Sequence, residues 1–385
     1  MSVALLFLGC SGPTIDDRRP WTPPAVSGVL LPVDEPPVDL VWEGDAVLGS
    51  DADVASFRRW TRITGDLVVE GTALTEVSLP SLQEVGGEVR LWENPALATL
   101  DLGALRSVGG DLSLYDDPEL DALVGLGSLE EVGGSLVINR MPALVDLDGL
   151  QALERVGARL YLFHLEGLRT LDGLEGLREV AGPVQLWEDH ALVDATFPAL
   201  TTIGAALDLF DARSLVTLSL PELTDAQALE LHHCDAMRDA GDFPRLTSLT
   251  GRLTVQWNPV MRSLDGLGAL TSVGSLHLEA LPALASTAAL SSLSEVTGDL
   301  TVLDADALVT LELPALVRAG LVDARYDDGL LDPGLEALVL AAGLRFEHDP
   351  ALSACAVEAL FDRVAAPLVS CVDVDDDGCA AVCVP

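Results

Sequence analysis

Lysine is absent from the 385 residues; all 21 basic residues are arginine. Chemistry that needs an ε-amine, such as Schiff-base formation, a Ser-Lys couple or the phosphate-binding lysine of a P-loop, is thereby excluded. Positive charge is scarce altogether: 61 acidic residues outnumber the basic ones and leave a formal net charge of -40. A polyanion would meet repulsion over most of such a surface, so nucleic acid and a bare anionic membrane are poor partners. Aromatic residues are only 4% of the chain, against 49% hydrophobic overall. The core must therefore be aliphatic, which suits thin stacked layers better than a bulky globule. Long apolar runs are missing too, because Gly, Asp or Glu recurs every few residues after the first ten. No stretch there approaches the ~18 apolar positions of a membrane helix. The Gly-x-Ser-x-Gly, His-Glu-x-x-His, Gly-x-Gly-x-x-Gly and Walker A patterns do not occur, and a non-enzymatic protein is expected.

What the chain does contain is a repeat. A Gly-x-Leu-x-Val/Leu unit begins at Gly65, Gly87, Gly110, Gly134, Ala158, Gly182, Ala205, Gln227, Gly251, Gly274, Gly298, Gly320 and Ala342, at intervals of 22 to 24 residues. So narrow a spread points to one elongated repeat domain, expected over residues 45–348, rather than two globular ones. Within the copy that starts at Gly110, Leu112 and Leu114 alternate at period two, the mark of a half-buried strand. A corner follows, with the turn chemistry of Asn94-Pro95, Asp117-Pro118 and Asn258-Pro259. Leu-x-x-Leu steps then aim one side chain per short segment inward. One unit cannot bury its own leucines. Stacked units can, with parallel strands ~4.8 Å apart and a rod roughly 58 Å long for thirteen starts. The expected fold is an all-β, right-handed single-stranded parallel β-helix. Two buried columns should run from Leu67 and Val69 through Val89 and Leu91 to Leu253 and Val255.

The segment Trp60-Thr-Arg-Ile63-Thr-Gly65-Asp-Leu67-Val-Val69 and the Val-Gly-Gly joints at Val85, Val108 and Val132 resemble the receptor L domain, the β-helix of the insulin and epidermal growth factor receptors. Residues 45 to 385 look more closely like the long bacterial versions of this repeat in surface lipoproteins. The resemblance implies a receptor L domain-like solenoid without the receptors' hormone-binding role. The phrase at Leu97, Leu100 and Leu102 is shared with ordinary leucine-rich repeats, so a horseshoe is the alternative fold.

The opening Met1-Ser-Val-Ala-Leu-Leu-Phe-Leu-Gly-Cys10-Ser11 resembles a bacterial lipoprotein signal, which implies lipidation of Cys10 and export to the outer membrane or cell surface. Residues 11–44 carry Pro13, Pro20, Pro23, Pro24, Pro32, Pro36 and Pro37 and read as a semi-rigid tether. Cys355, Cys371, Cys379 and Cys383 fall in a C-terminal cap, residues 349–385. In an exported chain they read as two disulfides, Cys355–Cys371 with Cys379–Cys383 being the preferred of three pairings. Val357, Leu360, Phe361 and Val364 have helical spacing, which predicts a short helix covering that end of the stack. Residues 45–64 would cover the other. Cys234 is left over and reads as a small buried thiol.

Asp373, Asp375 and Asp377, with Gly378, match the first half of a calcium loop; its twelfth position is Val384 rather than Glu. A solvated acidic loop is the competing reading, and no other cofactor is expected. His232-His233-Cys234-Asp235 sets metal-capable side chains in a row, but neighbours at a strand end diverge, which argues against a site there. His164, His190, His277 and His348 read as surface residues.

The residue after each inward strand pair faces outward and reads Trp92, Tyr115, Asn139, Phe163, Trp187, Phe210, His232, Gln256 down the stack. With aromatics so few, this column is the candidate binding surface, with Arg90 and Tyr161 on the adjacent outward column as polar handles. An extracellular glycan or protein segment is the expected partner of a monomeric binding or adhesion module. A passive spacer stiffened by stacked rings is the main alternative. A β-helical polysaccharide-active enzyme, with scattered Asp and Arg on one face, is a further one.

Overall fold

The computed structural model describes residues 39–375. Cys10 and the signal segment, most of the tether, and Asp377, Cys379 and Cys383 lie outside the described residues. Over these residues the chain is an all-β parallel solenoid of about 14 turns with two short α-helices. Strands one repeat apart pair in parallel: Leu112 opposes Val89 on one side and Leu136 on the other, and Leu136 opposes Leu160 in turn. Continued turn after turn, this register builds a 16-stranded sheet.

The period-two pattern does the sorting. Leu67, Val69, Val89, Leu91, Leu112, Leu114, Leu136 and Ile138 have no exposed surface, and the columns continue to Leu253 and Val255 in the same state. Both expected columns are therefore present, and burying them drives the turns together. A third column, Val85, Val108, Val132, Val156, Val180 and Ile203, belongs to a separate eight-stranded sheet. The Gly-Gly joint between the two sheets leaves no room for side chains. A Cβ on Gly109 would lie 2.3 Å from the Gly86 carbonyl oxygen, and one on Gly133 would lie 2.4 Å from that of Gly109. From Ser248 onward several turns carry one longer strand across this joint, as in Ser248–Gln256 and Ser272–Glu279.

The ends differ from the middle. Helix α1 (Asp51–Phe57), which the repeat pattern does not announce, starts at Ser50, whose hydroxyl accepts the Asp53 amide, and it buries Val54 and Phe57. Phe57 meets the edge of Trp42 at 4.8 Å. Helix α2 (Ala354–Arg363) is the expected C-terminal helix, capped by Ser353, with Val357 and Leu360 buried. Past it the ladder resumes: Val369–Val372 pairs with Leu344–Glu347. The solenoid therefore runs beyond residue 348, because α2 replaces part of a turn and returns the chain in register. Cys355 lies on α2 and Cys371 is buried on that last strand, and neither stands as an isolated thiol. The pairing involving Cys379 and Cys383 lies outside the described residues. No helix among the described residues is long and apolar enough to cross a membrane.

Candidate functional site

The outward column is in the expected register. Trp92 opposes Tyr115, Tyr115 opposes Asn139, and the pairing continues through Phe163, Trp187, Phe210, His232 and Gln256. Trp92 and Phe210 are 36% and 38% exposed, and the residues between them are half-buried. The rings touch as well as face outward. Trp92 lies 5.7 Å from Tyr115, and Trp187 lies 6.3 Å from Phe210 and meets it edge-on. Tyr161 leans over from the adjacent column, lying parallel to Phe163 at 5.6 Å and presenting its edge to Trp187 at the same separation. Asn139 interrupts the run. There Arg140 places its guanidinium 5.8 Å from the Tyr115 ring centre and donates to the Tyr115 hydroxyl at 3.1 Å.

Arg90 is committed rather than free. Its guanidinium sits 4.9 Å from the Trp92 ring centre and pairs with Glu88. A third arginine, Arg159, lies 5.1 Å from the Tyr161 ring centre. Arginine packed on a ring holds that ring in place, so the strip is pre-ordered along its N-terminal part.

The strip also extends beyond what period two reveals. His233 stacks on Trp257 at 5.0 Å with an interplanar angle of 12°, and Phe210 meets His233 at 5.9 Å. Both His233 and Trp257 have left-handed backbone at φ 54°. That conformation breaks strand alternation and turns their side chains toward the same surface. The corner recurs in nearly every turn, at Glu93, Asp116, Arg140, His164, Glu188 and Asp211 among others. At Trp257, as at Glu93 and Asp116, the sequence signal was the position just before an Asn/Asp-Pro pair; at His233, which precedes Cys234, no such pair marks it.

Acidic side chains flank the rings. His164 contacts Glu188 at 3.3 Å, and His190 contacts Asp211 at 3.0 Å. The Asp211 carboxyl is held below the usual range by its bonds from Arg213 and, less strongly, His190. Exposed ring faces within an acidic rim can stack on the C–H face of a sugar ring while the carboxylates accept from its hydroxyls.

The other candidates resolve differently. Asp373 Oδ2 accepts from His348 Nδ1 at 2.7 Å, and Asp375 joins the last turn through its backbone to Leu352 and Ala354. The row His232-His233-Cys234-Asp235 splays apart: Cys234 points into the core with its thiol pushed up to about 12 by burial, and His233 goes to Trp257. Instead His232 comes together with Asp208 and Glu230.

No protein-family model matches the chain, and neither a curated protein nor a solved structure matches it significantly.

Proposed function

We propose that the solenoid is a non-enzymatic binding or adhesion module that holds an extended glycan or protein segment along its aromatic strip. The observation that supports this most is the concentration of rings in one column of a chain with 4% aromatics. Trp92 and Phe210 in that column, and Trp257 at the corner beside it, remain 36%, 38% and 41% exposed. Rings placed only for stiffening gain by being covered, and exposed aromatic strips mark contact surfaces. The spacer reading draws on a different fact, the ring-to-ring contacts themselves.

The same proposal includes the setting. The chain belongs with receptor L domain-like surface lipoproteins, is lipidated at Cys10, and is carried on the Pro-rich tether at the outer membrane or cell surface as a monomer. Its C-terminal cysteines form two disulfides that secure the cap. An even set of four cysteines in an exported chain and the solenoid's need for a closed end favour this.

The test is Trp92→Ala, probed on an array of bacterial and host glycans and by thermal melting. We expect at least tenfold weaker binding to the glycan that wild type retains, with little change in melting temperature, as for an interface anchor worth more than about 1.4 kcal/mol. If wild type binds no glycan or protein probe while Trp92→Ala lowers the melting temperature, the strip is a stiffener and the protein a spacer.

A further inference from the structure

We propose that Asp208, Glu230 and His232 form a binding site for a divalent transition-metal cation of zinc-like donor preference. Asp208 and Glu230 occupy the same outward position on consecutive turns and oppose each other in the ladder. His232 follows Glu230 by two residues and emerges on the same side of the strand. One ligand atom from each of the three lies within 4.8 Å of the others. The set is drawn from two turns, which is why no contiguous motif contains it.

Both carboxylates are held by hydrogen bonds from outside the cluster. Trp187 Nε1 donates to Asp208 Oδ2 at 3.0 Å, and Arg252 Nε donates to Glu230 Oε1 at 2.9 Å. Such bonds play the role that outer hydrogen-bond partners play around bound metals. Glu230 Oε2 and His232 Nε2 are 3.6 Å apart, on side chains each 14% exposed.

Imidazole with two carboxylates suits zinc, cobalt, nickel or manganese rather than calcium or magnesium, which take all-oxygen sets. Three protein ligands leave a coordination position open. Glu230 and His232 also line a depression of about 410 Å³, together with Arg252 and His277. Among the described residues, the other histidine–carboxylate contacts, such as His190–Asp211 and His348–Asp373, do not bring three such ligand atoms within that distance.

The experiment is a titration of the tag-free full chain with Co²⁺, read by visible d–d absorption, and with Zn²⁺, read by calorimetry. We expect one equivalent bound, cobalt displaced by zinc, loss of the signal in His232→Ala, and at least tenfold weaker binding in Asp208→Asn, a nearly isosteric change. A saturable signal that survives both substitutions, or none in wild type, overturns the site. Should His232→Ala fail to fold, the Asp208→Asn titration decides alone. Neither variant alters Trp92, so failure here leaves the glycan result standing.

Discussion

Two kinds of polar corner occur among the turns of this solenoid, and they solve the same problem unequally. After the left-handed residue, several turns bury a polar side chain that accepts a backbone N–H of the preceding turn. At Asn258 the solution is complete. Its Oδ1 accepts from Cys234 N at 2.7 Å, and its Nδ2 donates to the carbonyls of Leu231 and Gln256 at 3.0 and 2.9 Å. Asn94 does likewise, accepting from Thr72 and donating to Val69 and Asp117. Where aspartate stands instead, only half the side chain is used. Asp189 Oδ1 accepts from Leu165 N at 2.9 Å, Asp327 Oδ1 from Ala305 N at 2.7 Å and Asp349 Oδ1 from Asp327 N at 3.0 Å. Oδ2 of each, and of Asp117, is buried with no hydrogen-bond partner. The amide brings a donor to that place, and a carboxylate has none unless it holds a proton.

Burial accordingly pushes these carboxyls up from 3.8, Asp117 to about 6, Asp189 and Asp327 to about 7 and Asp349 to about 8. Nearby charges add to the rise: Asp116 at Asp117, Glu188 at Asp189, Asp304 and Asp306 at Asp327, and Asp327, Asp323 and Asp328 at Asp349. The unfolded chain releases these protons near pH 3.8, whereas the folded chain keeps them to between about 6 and 8. Over that interval the folded state binds more protons, so stability is lost as pH rises. The slope is up to ~1.4 kcal/mol per pH unit for each group still protonated in the fold.

The largest test of this contrast converts every aspartate corner to the asparagine kind. Asp117→Asn, Asp189→Asn, Asp327→Asn and Asp349→Asn combined should raise stability at pH 8 by about 1–3 kcal/mol per corner and flatten its fall between pH 5 and pH 8. Urea unfolding at the two pH values reads both effects, and an unchanged pH slope would break the comparison. A smaller effect comes from the reverse exchange. Asn258→Asp should destabilise by about 1–3 kcal/mol at pH 8 and by less at pH 5, measured in the same way. The smallest concerns the left-handed residue that both kinds of corner share. Glu93→Gly, ahead of an asparagine, and Asp116→Gly, ahead of an aspartate, should each shift stability by less than about 1 kcal/mol, relief of the left-handed backbone offsetting glycine's entropy. Only Asp116→Gly should also soften the alkaline loss, since it removes a charge beside Asp117; melting curves across pH separate the two.

These corners also mark where reading the chain stops. Asn94-Pro95, Asp117-Pro118 and Asn258-Pro259 were legible as turns, because proline and short polar side chains favour them locally. That Asn94, Asp117 and Asn258 are fully buried was not, because the covering atoms come from a neighbouring turn. Helix α1 escaped for a related reason: it lies outside the repeat, and seven residues make a weak periodic signal. The aromatic column was legible from Trp92 to Phe210 because a constant repeat length converts sequence position directly into register. His233 and Trp257 were missed because a positive φ breaks the period-two rule on which that conversion depends.

By itself, then, the sequence determined the stack: leucine and valine at alternate positions, recurring every 22 to 24 residues, can be buried only by parallel pairing of successive turns. Along the strands, though not at the left-handed corners, it determined which side chains point outward as well. Only the tertiary structure decided what meets across turns. Asp208 and Glu230 share a repeat position 22 residues apart, and their approach to His232 depends on strand spacing and on bonds from Trp187 and Arg252. Periodicity fixes direction, whereas contact and desolvation depend on neighbours from other turns.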